Sequence, residues 1–166
     1  MACGKRVTKR KYGLAEVLTF ADGAALGARA ADDLAKILKE AVAKEGEAAF
    51  VVATGNSQLQ FMTALRALPG IPWERIRVFH MDEYVGMDDT HPASFRRYIR
   101  ENLTDMVRPL AFYGVAGDAP DVNAELERYT ALLERFPPVA VVMGIGENGH
   151  LAFNDPPADF ETDKAI

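Results

Sequence analysis

Residues 139–157 read VAVVMGIGENGHLAFNDPP. The apolar run VAVVMG (139–144) has the length and composition of a strand buried on both faces, as in parallel sheets. It leads straight into GIGENG (144–149), which matches the G-x-G-x-x-G dinucleotide template letter for letter. That template must open a helix and be followed about 20 residues later by an acid ending a second strand. Here Pro156 and Pro157 stop any long helix, and the sequence reaches Ile166 before a second strand–helix–strand unit could form. The template fails in its context. The glycines instead shape a loop that presents a side chain at the sheet edge. His150 is the candidate, because imidazole titrates near neutrality. The competing reading is a histidine with only a structural hydrogen bond.

Working outward, the same alternation repeats upstream. Asp22 can cap a helix to about Lys44, with Leu26, Ala30, Leu34, Ile37, Leu38, Ala41 and Val42 in one apolar stripe and Gly46 as its stop. AAFVVA (48–53) reads as another strand buried on both faces, and QLQFMTALRAL (58–68) as a helix closed by Pro69, Gly70 and Pro72. IRVFH (76–80) reads as a strand, and Pro92 suits the first turn of a helix to about Leu103. LAFY (110–113) is a short strand, and Asp121 caps a helix over about 122–135. This order predicts an α/β fold, a parallel sheet covered by helices on both faces. There is no internal repeat. After Phe153, NDPPADFETDKAI carries no further strand or helix, so the sequence is expected to stop in mid-domain.

The 166 residues predict one α/β domain over 19–166, preceded by a basic arm and first-strand region over 1–18. Lys5, Arg6, Lys9, Arg10 and Lys11 give that arm its charge, read as solvated and partly frayed. A net charge of −5 argues against nucleic acid as a partner. Cys3 is the single cysteine, so no disulfide within the chain is expected. No apolar run approaches the ~20 residues of a membrane-spanning helix, and no apolar segment follows the N-terminal charges as in a signal peptide. The expectation is a cytoplasmic protein.

Ligands of open α/β sheets bind where strands end, and three polar, glycine-bearing loops leave such ends here. The first, ATGNSQ (53–58), places backbone N–H groups and a helix dipole at one point, and Thr54 and Ser57 add hydroxyls. A phosphate suits that arrangement, though a plain turn with Ser57 as the cap reads equally well. No Walker lysine is present. The second, FHMDEYVGMDDTHP (79–92), sets Asp82 beside Glu83. Neighbours in extended chain point to opposite sides, so at most one carboxylate faces the pocket squarely, where it could act as a general base. The third loop carries His150. His80, Asp82, His91 and His150 lack metal-ligand spacing, so no metal is expected.

Taken together, the blocks VVATGNSQLQFMTAL, VFHMDEYVGMDDTHPASFRRYIRENL and GIGENGHLAFNDPP resemble the glucosamine-6-phosphate deaminase (isomerase) family. The resemblance runs from about residue 20 to the end. It implies a three-layer Rossmann-like sandwich without the usual C-terminal part. The implied reaction opens a sugar ring, moves a proton between carbons 2 and 1, and releases ammonia. It needs no metal or other cofactor. Its small-molecule partner is a sugar phosphate, and members often form homo-oligomers. By matching position, Asp82 resembles the base that moves the carbon-2 proton, and His150 the residue assisting ring opening. Thr54, Gly55, Asn56 and Ser57 match the phosphate loop, and Glu83 and Tyr84 lie in the substrate-binding block.

Three departures stand out. Asn148 occupies a place where better-known deaminases have an acid, so His150 is expected to lack that charged partner. Asp155 stands for a glutamate and is one methylene shorter. Both are counted with the catalytic residues. Family members also run on well beyond this length, which predicts an uncovered sheet edge, poor solubility or a partner, and little activity. Two other readings stay open: a non-catalytic sugar-phosphate sensor, and a 6-phosphogluconolactonase-type hydrolase, whose second block typically reads Asp-Glu-Arg where this chain has Asp-Glu-Tyr.

Overall fold

The computed structural model describes residues 8–155, 157–159 and 161. Lys5, Arg6 and Cys3 lie outside them. Strands β1 (Thr8–Tyr12) and β2 (Ala15–Thr19) form an antiparallel hairpin in which Thr8 pairs with Thr19. Lys9, Arg10 and Lys11 therefore sit in a hydrogen-bonded strand rather than a frayed arm, and Lys9 meets Glu16 across the ladder at 2.8 Å.

Helix α1 (Gly23–Glu45) starts where Asp22 Oδ1 accepts from Ala25 N at 2.8 Å. It ends at Gly46, whose φ of 84° only glycine adopts without strain. Its buried face is Gly27, Ala31, Leu34, Ala35 and Leu38. Then come β3 (Ala48–Val52), α2 (Asn56–Ala67) and β4 (Ile76–His80). A continuous helical segment follows: α3 (Phe95–Ile99), a π-helical turn over Arg100–Thr104, and α4 (Asp105–Val107). Strand β5 (Ala111–Tyr113), helix α5 (Val122–Arg135) and strand β6 (Ala140–Val142) complete the described elements. Two expected starts shift. Pro92 precedes the third helix, whose cap is Ser94, its Oγ accepting from Arg97 N at 3.3 Å. Ser57 lies inside α2, and Gly55 holds the cap position instead, with no side chain bonded there.

The main sheet runs β5-β4-β3-β6, every pair parallel. Strand residues alternate between its faces. Ala48, Phe50, Val52, Ile76 and Val78 pack on one side with Leu34, Leu38, Phe61, Leu65 and Ile99 of three helices. Ala49, Val51 and Phe79 pack on the other with Tyr129 of α5. Helices on both faces and a parallel sheet are as expected. Helices α1 and α2 cross at Gly27, where a Cβ would lie 2.8 Å from Phe61 N. The last strand departs from its reading as buried. Val139, Val141 and Met143 are 46%, 51% and 41% exposed, because β6 has only β3 beside it among the described residues. No helix of the described residues is long and apolar enough to cross a membrane.

Candidate active site

Strands β3, β4 and β6 run parallel, so the loops after all three leave at one end. They enclose a cavity of about 250 Å³ whose lining includes Thr54, Ser57, Asp82, Phe95, His150 and Phe153.

The first loop turns at Gly55, with φ 101° and ψ 165°. Among the described residues no side chain caps α2, and its first turn begins beside the cavity, where Ser57 is in the lining, with the positive end of the helix dipole. Thr54 and Ser57 bring hydroxyls to the lining. Gly55 and Asn56 shape the turn without lining the cavity. Tyr98 of α3 holds this turn from behind, its hydroxyl donating to Gly55 O at 2.8 Å.

Asp82 and Glu83 diverge in the loop that follows β4. Asp82 lines the cavity. Burial pushes its carboxyl up to about 6, and the Glu83 charge adds to the effect. Glu83 turns away from the cavity. Its Oε2 accepts from Ser94 Oγ at 2.8 Å and Arg96 N at 3.0 Å, and its Oε1 from Phe95 N at 3.1 Å and Tyr84 N at 3.1 Å. Arg96 Nε is 3.5 Å away, and the Glu83 side chain has no exposed surface. Burial alone would raise its carboxyl, but the donors from Arg96, Phe95, Ser94 and Tyr84 hold it below the usual range. Glu83 thus clasps the start of α3 to the loop after β4. Tyr84 stands behind the cavity wall, its ring 5.0 Å from Phe95 and 5.2 Å from Phe153, the two phenyl rings of the lining.

The third loop is closed by Gly146 N donating to His150 O and Gly149 N to Gly146 O, both at 2.9 Å. Gly149 has φ 89°. A Cβ on Gly146 would overlap the His150 imidazole, so the ring packs where only glycine leaves room. Asn148 Nδ2 donates to Asp155 Oδ1 at 2.6 Å. Its Oδ1 is therefore turned to His150, accepting from His150 N at 3.1 Å and lying 2.6 Å from Nδ1. An amide oxygen at Nδ1 calls for the proton on Nδ1, which leaves Nε2 as the acceptor. Asp155 Oδ1 also lies 3.1 Å from Nδ1. The expectation that His150 lacks a charged partner is corrected here. The carboxylate missing at position 148 comes from position 155, and the shorter Asp155 reaches both the amide and the ring.

The other imidazoles lie apart. His80 is 2% exposed, its Nε2 accepts from Val115 N at 2.8 Å, and burial pushes its pKa down to about 4. His91 Nδ1 accepts from Ala93 N at 3.1 Å. Among the described residues no three His, Cys, Asp or Glu side chains are grouped to hold a metal ion. Tyr98, Arg96 and Tyr129 support the site and were not among the expected residues. Each acts across a long sequence separation, which spacing does not reveal.

The family described as "Glucosamine-6-phosphate isomerases/6-phosphogluconolactonase" matches residues 21–164. Glucosamine-6-phosphate deaminase of Streptococcus pneumoniae (strain 70585) is 33% identical over 127 residues, which are 76% of this chain and 53% of that protein. A solved monomeric glucosamine-6-phosphate deaminase aligns with a TM-score of 0.75 at 26% identity, over 85% of this chain and 59% of its own. The 6-phosphogluconolactonase from Shewanella baltica OS155 aligns with a TM-score of 0.72 at 27% identity, over 81% and 58%. The chain spans about half the length of the curated relatives it matches. A family match over most of the chain, on a sheet that gathers the three loops at one cavity, settles the affiliation: the chain belongs to the glucosamine-6-phosphate isomerase/6-phosphogluconolactonase family.

Proposed function

We propose that this protein is an amino sugar phosphate deaminase/isomerase, converting a hexosamine 6-phosphate to a ketohexose 6-phosphate and ammonia. The observation that carries the reading is the pairing of two groups on one cavity. Asp82 is a carboxylate tuned to about 6, and His150 is an imidazole whose partners direct its proton to Nδ1. A base with a pKa near the working pH is the useful one.

In this reading the substrate phosphate sits on the α2 N-terminus with the hydroxyls of Thr54 and Ser57. His150 Nε2 takes the proton from the carbon-1 hydroxyl as the bond from carbon 1 to the ring oxygen breaks and solvent protonates that oxygen. The open aldehyde makes the carbon-2 proton acidic. Asp82 removes it, the carbon–carbon double bond forms, and His150 returns its proton to the carbon-1 oxygen. Asp82 then delivers its proton to carbon 1, leaving an iminium at carbon 2. Water adds there and ammonia leaves.

The test is ammonia release from glucosamine 6-phosphate and galactosamine 6-phosphate. Release from either is expected, and Asp82→Asn should abolish it while leaving sugar phosphate binding. No release from any hexosamine 6-phosphate sinks the proposal. The likeness to the Shewanella enzyme supports a second reading, with His150 Nε2 as base for water attacking a lactone. Turnover of 6-phosphogluconolactone above its spontaneous rate would select that hydrolase. Ligand-induced stabilisation without either reaction would select a sensor.

A further inference from the structure

The strand that delivers Asp82 to the cavity ends on an uncommon set of hydrogen bonds. Strands β4 and β5 stay in register as far as Phe79 and Tyr113. Beyond that rung the backbone N–H and C=O of His80 meet the Tyr129 hydroxyl of α5 instead. The hydroxyl donates to His80 O at 2.7 Å and accepts from His80 N at 3.1 Å. One phenol therefore meets the N–H and the C=O of a residue that lies beyond the last β4–β5 rung, and it also lies 3.3 Å from Tyr113 O of β5. The His80 ring makes a second tie, its Nε2 accepting from Val115 N at 2.8 Å just past β5. That places the ring proton on Nδ1, which is buried and has no hydrogen-bond partner among the described residues. An unmet buried donor keeps the cost of its lost hydration. An apolar ring in the same space would remove that donor but leave Val115 N without its acceptor. Tyr129 is 1% exposed and stands edge-on to Phe79 and His80 at 5.8 and 6.4 Å between ring centres.

We propose that Tyr129, together with His80, is a positioning residue for Asp82. Its hydroxyl replaces the next rung of the β4–β5 ladder and sets the angle at which Met81 and Asp82 leave the sheet for the cavity. The inference rests on the reading of Asp82 as the base for the carbon-2 proton. Around Asp82 the groups that carry or can carry charge are Glu83 on its own loop, Tyr129 from α5 and His150 across the cavity. Arg96 of α3 faces His80 and Glu83.

Tyr129→Phe keeps the ring and its contacts and removes the hydroxyl. The expected result is a fall in kcat for ammonia release on the order of 10- to 10²-fold. KM for glucosamine 6-phosphate should stay within about twofold, because the phosphate site on α2 is untouched. Deuterium at carbon 2 should slow the variant more than the wild type, since proton abstraction becomes limiting. The carboxyl carbon of Asp82, followed by NMR without substrate, should titrate at a changed pH. A merely structural role would lower Tm and leave the isotope effect and the Asp82 titration unmoved. Wild-type kcat, or an unmoved Asp82 titration, overturns the proposal. If the wild-type protein releases no ammonia, the functional reading fails and the NMR titration alone decides the positioning role. If Tyr129→Phe does not unfold cooperatively, His80→Phe, which cuts the other tie, is judged by the same measurements.

Discussion

Replacing Gly146 by alanine separates the placement of the His150 ring from every other property of its loop. Gly146 is not among the glycines with positive φ, so alanine can adopt its backbone without strain. The obstacle is the ring alone, since a Cβ would overlap Cε1, Nδ1 and Nε2 of His150. Non-bonded heavy atoms rest ~3.5 Å apart, so the imidazole must retreat by about 1 Å or more. It cannot retreat and keep the 2.6 Å contact to Asn148 and the 3.1 Å contact to Asp155. A displacement of ~1 Å at a reacting group costs on the order of 10²-fold in rate, or about 2.7 kcal/mol of barrier. Stability should change by only about 0.5 kcal/mol, because the ring pair is at the surface. Steady-state ammonia release and a thermal melt of the same preparation measure both quantities. In a His150→Ala background the alanine at 146 should add no further loss, because the two changes act through one ring. Wild-type kcat/KM in Gly146→Ala, or an equal loss with the ring already absent, would refute the steric account.

Three further outcomes follow from the site. With the Asp82 carboxyl at about 6, kcat/KM should fall as pH drops through that value. The same group binds its proton more tightly folded than unfolded, so stability should fall as pH rises from 3.8 to about 6. Asp82→Asn should then melt above the wild type at about pH 8, with the gap closing below about pH 4; equal melting at both values counts against burial as the cause. Glu83→Ala removes the clasp on α3 and strips Arg96 of one carboxylate, with Asp118 still 2.7 Å away. Urea unfolding should register a loss of about 3 kcal/mol, and a loss under about 1 kcal/mol would mark the clasp as unimportant. Tyr98→Phe removes the donor to Gly55 O and should raise KM for the sugar phosphate roughly fivefold, about 1 kcal/mol, with kcat held; a change confined to kcat would contradict a role in holding the phosphate turn.

What the sequence made legible is what depends on near neighbours. Asp22 and Asp121 cap the helices they were expected to cap, and strand 76–80 falls where its apolar run does. Of Asp82 and Glu83 only Asp82 lines the cavity, as expected, although both lie in the loop beyond β4 and Met81 lines it too. Features set by distant chain were not legible. The third helix starts at Ser94 rather than near Pro92, where a carboxylate from the preceding loop takes up the N–H groups of Phe95 and Arg96. The exposure of β6 depends on what lies beside it in the sheet, which its own apolar letters do not state. Asn148 read by itself suggested a histidine without charge support. The loop folds back so that Asp155, seven residues on, supplies it. Glu83 looked like a substrate ligand from its place in the motif, and its four donors turn it away from the cavity.

Chain order and pairing order differ in this sheet. Ala48 meets Ile76, whereas Phe50 meets Ala140. Closing the longer loop costs about 1 kcal/mol more in chain entropy, and β6 is in register with β3 over three residues where β4 is over five. The strands that carry the Gly55 turn and Asp82 therefore come together through the shorter closure, and the strand that carries His150 docks late. On partial opening the order reverses. As β6 lifts from β3, the imidazole leaves while the Gly55 turn on α2 stays folded, so under the proposed reaction mild denaturant should extinguish turnover before it releases sugar phosphate.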